Sequence, residues 1–255
     1  MVEKGRFCWY ELSADDLDAA QAFYCDVIGW TAEPSHVRHD VEYRVFKAGE
    51  ERVAGLTNTQ AGGAKPFWLG YVEVDDADAA AAKIEADPGG AIYRHAVDLD
   101  GIGRVATFGD TQGAVLALMQ FNPDYRPSSK RLDAPGHGGW NEMMTKNWPV
   151  AFDFLSGIFG WRKGEAVDMG PMGTYQLFGL GDRDFGGMME MPDDAPGPMW
   201  ITYFNVPDID AAAARVTGGG GALLSDIHEV PGGTRVVRCR DPQGALFALS
   251  STEHG

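Results

Sequence analysis

Residues 9–30 read WYELSADDLDAAQAFYCDVIGW, and residues 140–161 read WNEMMTKNWPVAFDFLSGIFGW. The second stretch repeats the first at an offset of 131 residues and keeps a tryptophan, a glutamate, a phenylalanine and a closing Gly-Trp pair in register. The matched pairs are Trp9 with Trp140, Glu11 with Glu142, Phe23 with Phe154, Gly29 with Gly160, and Trp30 with Trp161. A fixed period of this length predicts two copies of one folding unit.

The repeat continues to the end of each copy. Further matched features are Tyr43 with Tyr175, Arg104 with Arg235, and DTQGAVLAL at 110–118 with DPQGALFAL at 241–249. Between the copies, residues 121–137 (FNPDYRPSSKRLDAPGH) are rich in proline and polar residues, which is typical of a linker. We therefore expect a first domain over residues 1–120, a linker over 121–137 and a second domain over 138–255.

A weaker repeat lies inside each copy. The string D-x-D-A-A begins at Asp16, Asp76 and Asp208, and Asn147 stands at the fourth expected position. Asp and Asn side chains accept hydrogen bonds from backbone N–H groups at helix starts, and the alanines that follow favour a helix. Each string follows a strand-like stretch and precedes further alternating stretches that glycines separate. The pattern predicts a strand, a helix and about three strands, four times over, which is an α+β protein.

The composition excludes several classes of protein. The chain has 255 residues with 21 Lys and Arg against 37 Asp and Glu, and its formal net charge of −16 would repel a phosphate backbone. Its three cysteines, Cys8, Cys25 and Cys239, are too scattered for a disulfide framework or a paired zinc site. No apolar run approaches the roughly 20 residues that span a membrane, and no hydrophobic signal segment is visible. We expect a cytoplasmic protein that binds neither nucleic acid nor membrane.

Four motifs point to a family. AFYCDVIGW at 22–30, DFLSGIFGW at 153–161 and the two closing motifs resemble those of the vicinal oxygen chelate superfamily. This superfamily includes glyoxalase I, type I extradiol dioxygenases and bleomycin-resistance proteins, and the opening W-x-E strands are most similar to its tandem glyoxalase-like subgroup. The resemblance implies two tandem domains, each of two βαβββ modules that form a cup-shaped sheet around a small-molecule site.

The resemblance also implies where a metal would bind. Enzymes of this superfamily hold a divalent metal with His, Glu or Gln side chains inside the cup, and such ions suit imidazole and carboxylate ligands. The three ligand positions of the family correspond here to Trp9, Leu69 and Ala117 in copy one and to Trp140, Ile201 and Ala248 in copy two. None of these side chains can bind a metal. We therefore expect no cofactor, the alternative being a divalent metal at a non-standard site.

The strand that opens each copy carries the main candidate site residues. Strand side chains alternate between faces, so each strand glutamate shares a face with the tryptophan two residues before it. A carboxylate that faces an apolar interior must be explained by an ion pair with the repeated arginine, by contact with a ligand or by a role as general base. The repeated tyrosines and tryptophans suit a binding wall, and core packing is the alternative for them. The candidate ligand-binding residues are Trp9, Glu11, Tyr43, Arg104, Trp140, Glu142, Tyr175 and Arg235, and Glu11 and Glu142 are also the candidate catalytic residues.

These observations favour a metal-independent protein that binds a small molecule, as in the bleomycin-resistance branch. The first alternative is a lyase or isomerase of the glyoxalase type, or a dioxygenase-like enzyme with a displaced metal site. The second alternative is a protein-interaction module that uses its acidic surface. Either a monomer or a homodimer is compatible with the sequence.

Overall fold

The computed structural model describes residues 4–37, 41–58, 65–125, 133–193 and 195–251. Residues 126–132 of the expected linker therefore lie outside the described part of the chain. Module 1 holds β1 (Phe7–Ala14), α1 (Leu17–Ile28), β2 (Thr31–Ser35), β3 (Tyr43–Ala48) and β4 (Glu51–Asn58). Module 2 holds β5 (Phe67–Glu73), α2 (Ala77–Ala86), β6 (Ala91–Leu99), β7 (Gly103–Gly109) and β8 (Val115–Phe121).

The second copy repeats this order. Module 3 holds β9 (Gly138–Thr145), α3 (Trp148–Phe159), β10 (Arg162–Asp168), β11 (Thr174–Leu180) and β12 (Arg183–Glu190), with a short 3-10 turn at Gly170–Met172. Module 4 holds β13 (Met199–Asn205), α4 (Ile209–Gly218), β14 (Ala222–Leu223), β15 (His228–Val230), β16 (Thr234–Arg240) and β17 (Leu246–Ser251). The predicted order of strand, helix and strands, repeated four times, is confirmed.

Each helix begins where the sequence predicts. Asp16 accepts a hydrogen bond from the backbone N–H of Ala19 at 2.9 Å, and Asp76 and Asp208 make the same bond at the starts of α2 and α4. Asn147 does so at the start of α3, where it accepts from Val150 at 3.3 Å. Because N-terminal N–H groups have no partner within a helix, these side chains decide where each helix starts.

The Gly-Trp pair of each copy ends the first helix of that copy. Gly29 and Gly160 take positive φ values of 85° and 72°, a conformation that glycine adopts without strain. The indole N–H of Trp30 then donates to the carbonyl of Gly136 at 2.8 Å, and Trp161 donates to Gly5 at 2.6 Å. The two copies therefore share the tertiary role of this motif as well as its sequence.

The strands form one sheet from each sequence copy. The first sheet has the order β2-β3-β4-β1-β5-β8-β7-β6, and the second has the order β10-β11-β12-β9-β13-β17-β16-β14, with β15 paired to β16. Parallel pairs join β1 to β4 and β5 to β8 in the first sheet, and β9 to β12 and β13 to β17 in the second. The change of sheet falls between Phe121, where β8 ends, and Gly138, where β9 begins.

The chain packs into two compact units, and each unit combines parts of both copies. Unit 1 comprises Met1–Trp9, Leu69–Ser129 and Asn141–Trp200, which brings modules 2 and 3 together. Unit 2 comprises Tyr10–Trp68, Lys130–Trp140 and Ile201–Gly255, which brings modules 1 and 4 together. Among the described residues, no helix is long and apolar enough to cross a membrane.

Each unit has an aromatic core. In unit 1 the rings of Trp161 and Trp200 lie 6.1 Å apart, and Phe108 of module 2 meets Phe159 of module 3 at 6.1 Å. In unit 2 the rings of Trp30 and Trp68 lie 6.1 Å apart, and Phe204 of module 4 meets Trp30 of module 1 at 5.1 Å. Large aromatic side chains bury much apolar area, so the contacts of Phe108 with Phe159 and of Phe204 with Trp30 join the two sequence copies.

Candidate functional site

Module 1 has one sheet face against α1 and one face turned away from it. Arg44 of β3 pairs with Asp18 at 2.7 Å and donates to Gln21 at 3.0 Å, both on α1, so its row of side chains faces the helix. Side chains one residue further along each strand lie on the opposite side. We call this opposite side the module 1 strand face, and its residues are Glu11, Ser13, Tyr43, Val45, Gly55 and Thr57.

The module 1 strand face brings two candidate residues together. Glu11 is paired with Gly55, which is paired with Val45, and the neighbouring row joins Ser13, Thr57 and Tyr43. Glu11 exposes only 9% of its surface and Tyr43 exposes 6%. The face therefore holds a buried carboxyl group and a buried phenol in adjacent rows.

Module 3 has an equivalent face. Lys163 lies over the rings of Trp148 and Phe152 on α3 and is paired with Phe178, which defines the helix side of this module. The module 3 strand face lies opposite, and its paired residues are Glu142, Leu177 and Gly187.

Tyr175 reaches across the module 3 strand face. A Cβ atom at Gly187 would overlap the Tyr175 ring and its hydroxyl, so glycine is needed for the ring to lie there. Gly187 is paired with Glu142, which exposes only 3% of its surface. The structure therefore brings Glu142 and Tyr175 together.

Trp9 belongs to an apolar surface of module 2. The ion pair of Arg104 with Asp78 of α2 identifies the helix side of this module, and Arg104 is paired with Gln120. The opposite side, the module 2 strand face, holds a buried cluster against which Trp9 packs. The cluster consists of Cys8, Leu69, Tyr71, Val105, Ala117 and Met119. Trp140, the counterpart of Trp9, is half-buried two residues before Glu142 on β9.

The two repeated arginines lie on the helix sides. Arg104 donates to both carboxylate oxygens of Asp78, at 2.7 and 3.0 Å, and to Asp98 at 2.8 Å, and these bonds raise its pKa. Arg235 donates to Asp210 of α4 at 2.6 and 3.0 Å. The explanation that Arg104 and Arg235 neutralise Glu11 and Glu142 is therefore wrong, because helix aspartates take up both guanidinium groups.

Sequence analysis missed Arg238 and Tyr203. Arg235 faces α4, and Arg238 lies three residues further along β16, so it lies on the other side of the sheet. Arg238 is paired with Ala248, which is paired with Tyr203 of β13. The signal that could have found Arg238 is the alternation within RVVRCRD at 235–241, which places 236, 238 and 240 on one side.

The residues at the family's metal positions do not fit a divalent metal. Leu69 and Ala117 lie in the apolar cluster of the module 2 strand face, and Trp9 packs against them. Ile201 and Ala248 are buried at the equivalent positions of module 4. These side chains offer no oxygen, sulfur or imidazole ligand. Elsewhere in the described residues, no group of three or more His, Cys, Asp or Glu side chains could hold a metal ion.

Comparison with known families agrees with this fold. The chain matches the Glyoxalase/Bleomycin resistance protein/Dioxygenase superfamily over residues 6–118 and again over residues 134–249. The two matched segments cover most of the chain and coincide with the two sheets. The protein therefore belongs to this superfamily, as the sequence motifs predict.

Two relatives are similar over nearly their whole length. A Mycobacterium tuberculosis (strain CDC 1551 / Oshkosh) protein named "Putative glyoxylase CFP32" is 29% identical over 245 residues, which cover 94% of this chain and 92% of that protein. The anthracycline biosynthesis protein DnrV of Streptomyces peucetius is 28% identical over 267 residues, which cover 98% of this chain and 94% of the relative.

Solved structures share the fold at lower identity. The Mn(II)-bound glyoxalase from Novosphingobium aromaticivorans has a TM-score of 0.67 at 17% identity, and the match covers 98% of this chain and 83% of that one. The 2,2',3-trihydroxybiphenyl 1,2-dioxygenase from Sphingomonas wittichii strain RW1 has a TM-score of 0.68 at 14% identity. This match covers 98% of this chain and 91% of that one. At these identities the likeness extends to the fold alone.

Proposed function

We propose that this protein binds a small organic molecule on its strand faces without the divalent metal of the superfamily. The observation that carries the proposal is the apolar cluster on the module 2 strand face, where Leu69 and Ala117 take the place of metal ligands. A surface of this kind stabilises an apolar or aromatic ligand by burial rather than by coordination. Trp9, packed against the cluster, is suited to stack on a planar ring.

The strand faces of modules 1 and 3 supply polar groups for orientation. Glu11 and Tyr43 share the first face, and Glu142 and Tyr175 share the second. Ligand sites are mostly apolar with a few placed polar groups, and this combination of groups suits that description. The name of the relative DnrV, an anthracycline biosynthesis protein, supports a ligand with fused aromatic rings.

Metal binding tests this proposal directly. We expect the purified protein, dialysed against Mn²⁺, Ni²⁺, Zn²⁺ or Fe²⁺ and then against metal-free buffer, to retain no stoichiometric metal by elemental analysis. The physical reason is the lack of donor atoms at both sets of metal positions. One tightly held ion per domain would contradict the proposal.

A glyoxalase-type lyase or isomerase is the second candidate, and one observation favours it. The carboxyl group of Glu142 is buried and the Tyr175 ring lies over the same row, an arrangement that could remove and return a proton next to a carbonyl group. Turnover of methylglyoxal with glutathione that disappears in Glu142→Gln, but not in the helix-side variant Arg235→Gln, would favour this candidate over binding alone.

A further inference from the structure

The methionines of this chain fall into two groups by their surroundings. Of the nine that the structure describes, seven are buried or half-buried, namely Met119, Met143, Met144, Met188, Met189, Met191 and Met199. The other two, Met169 and Met172, expose 36% and 58% of their surface. Both lie between β10 and β11 of module 3, in residues 168–173, which we call the methionine loop. Among the described residues, exposed methionine is therefore confined to this loop.

The methionine loop keeps its shape through hydrogen bonds among its own residues. The backbone N–H of Met169 donates to the carbonyl of Gly173 at 2.8 Å, and the N–H of Gly173 donates to the carbonyl of Gly170 at 3.0 Å. Asp168 Oδ1 accepts a hydrogen bond from the N–H of Gly170 at 2.9 Å. The loop is therefore fixed by backbone groups and one carboxylate, and its shape does not depend on the two thioether groups.

The methionine loop also stands clear of the rest of module 3. All of residues 168–173 are exposed. A Cβ atom at Gly170 or Gly173 would meet no described atom of another element within 4 Å. Both a small reagent in solution and a second protein can therefore reach the side chains of Met169 and Met172.

We propose that the methionine loop is a site of reversible oxidation by hydroperoxides, with Met172 reacting first and Met169 second. The thioether sulfur attacks the terminal oxygen of the peroxide, and an S–O bond forms as the O–O bond breaks. The proton of that oxygen passes to the departing alkoxide, so the sulfur loses two electrons and the peroxide is reduced to an alcohol, or to water in the case of hydrogen peroxide. A methionine sulfoxide reductase reverses the change, because the sulfoxide stays exposed. This proposal goes beyond ligand binding by the strand faces and does not depend on it.

Burial separates these two side chains from the methionines of the core. A sulfoxide is polar, so its formation within an apolar core disrupts the packing there. The side chains of Met143 and Met188 are fully buried, and an oxidant reaches them only when the surrounding structure opens. Oxidation of the methionine loop needs no such opening and leaves the core of unit 1 unchanged.

Timed treatment of the folded, full-length protein with hydrogen peroxide, followed by peptide mass spectrometry, tests the proposal. We expect the sulfoxide of Met172 to form about 10-fold or more faster than those of Met143 and Met188, because opening the core costs free energy. Met169 should react at an intermediate rate. In denaturing urea all of these methionines should react at similar rates, which is the control for their intrinsic reactivity.

Two variants and a reductase complete the test. Met172→Leu should remove the fastest phase of oxidation, and the matched core variant Met188→Leu should retain it, since exchange of methionine for leucine nearly conserves volume. Methionine sulfoxide reductases of both stereochemical classes should restore Met172 in the folded protein, and the urea midpoint of the oxidised protein should equal that of the untreated protein. Equal rates at Met172 and Met188 in the folded state, or a sulfoxide that the reductases leave in place, would overturn the proposal. Circular dichroism confirms that each variant is folded.

Discussion

One tyrosine distinguishes the cores of the two units. In unit 2 the indole N–H of Trp68 donates to the Tyr24 hydroxyl at 2.9 Å, and this hydroxyl donates to Asp241 at 3.0 Å. In unit 1 the sequence repeat places Leu155 where unit 2 has Tyr24. Within the described residues, Trp200 Nε1 and Asp110 Oδ2 are buried without a hydrogen-bond partner. A single residue therefore decides whether two other buried groups are satisfied.

Both aspartates also shape the closing turn. Asp110 accepts from the backbone N–H groups of Gln112 and Ala114 at 2.9 Å, and Asp241 makes the same two bonds. Burial raises the pKa of both carboxyl groups, and the hydrogen bond from Tyr24 acts in the opposite direction on Asp241. The aspartate of the closing motif thus has a structural role in each copy.

These contacts predict different effects of the same substitution in the two units. In Asp110→Asn the amide oxygen can accept both backbone hydrogen bonds that Oδ1 accepts in the wild type. Oδ2 of Asp110 accepts no hydrogen bond from the described residues, so its replacement by an amide nitrogen removes none. Asp110 stabilises the fold below its unfolded pKa of 3.8, and this contribution is lost as pH rises through its raised folded pKa. Only the wild type loses this contribution between pH 4 and pH 7. The free energy of unfolding of Asp110→Asn minus that of the wild type, measured by urea titration, should therefore be larger at pH 7 than at pH 4.

Asp241→Asn is the matched comparison. This variant removes the acceptor for the Tyr24 hydroxyl and should lower the free energy of unfolding at pH 7 by about 1–3 kcal/mol. If the difference between Asp110→Asn and wild type did not change between pH 4 and pH 7, the burial argument for Asp110 would be wrong.

At the scale of the elements, the glutamine of each closing motif holds the start of a distant helix. Gln112 accepts from the Asn147 N–H and donates to its carbonyl, both at 2.8 Å. Gln243 accepts from the N–H groups of Asp15 and Asp16 and donates to the Asp16 carbonyl at 2.8 Å. Asp16 and Asn147 are the residues that cap α1 and α3. The closing motif of module 2 therefore holds the start of α3, and the closing motif of module 4 holds the start of α1.

Removing the hydrogen bonds of Gln243 should affect the start of α1. Gln243→Ala should lower the free energy of unfolding by about 1 kcal/mol, because the backbone groups of Asp15 and Asp16 exchange their hydrogen bonds to this side chain for bonds to water. Hydrogen exchange at the Asp15 and Asp16 amides should accelerate, since Gln243 is their acceptor. Pro242→Ala, an exposed neighbour in the same turn, is the control and should stay within about 0.5 kcal/mol of wild type. Unchanged exchange at both amides in Gln243→Ala would contradict this role.

At the scale of the whole molecule, each compact unit is assembled from both sequence copies. Unit 1 joins modules 2 and 3 through Phe108 and Phe159, and through the bonds of Gln112 to Asn147. Unit 2 joins modules 1 and 4 through the hydrogen bond of Tyr24 to Asp241 and the ring contact of Trp30 with Phe204. Cutting the chain between the copies would break one backbone connection and leave both cores intact.

This arrangement predicts the behaviour of a cleaved chain. After cleavage at a protease site inserted within residues 126–132, the two fragments should elute together in size-exclusion chromatography under native conditions. In denaturing urea they should separate, which is the control for complete cleavage. Separation in native buffer would show that the cores of the two units do not hold the copies together.

The sequence by itself determined the features that depend on local chemistry. The N-terminal caps at Asp16, Asp76, Asn147 and Asp208, the order of elements in four modules, the two copies and the family could all be predicted, because each rests on neighbouring residues or on a repeated spacing.

Only the tertiary structure decided which modules pack together and which side of each strand faces a helix. All four modules carry similar motifs, so the repeat cannot distinguish the pairing of module 1 with module 4 from other pairings. The repeat made Arg104 and Arg235 candidate site residues, yet both pair with helix aspartates. Arg238, which does not recur, lies on the side of the sheet that faces away from the helix. Alternation separates the two faces of a strand, but the packing of each helix decides which of them becomes the binding face.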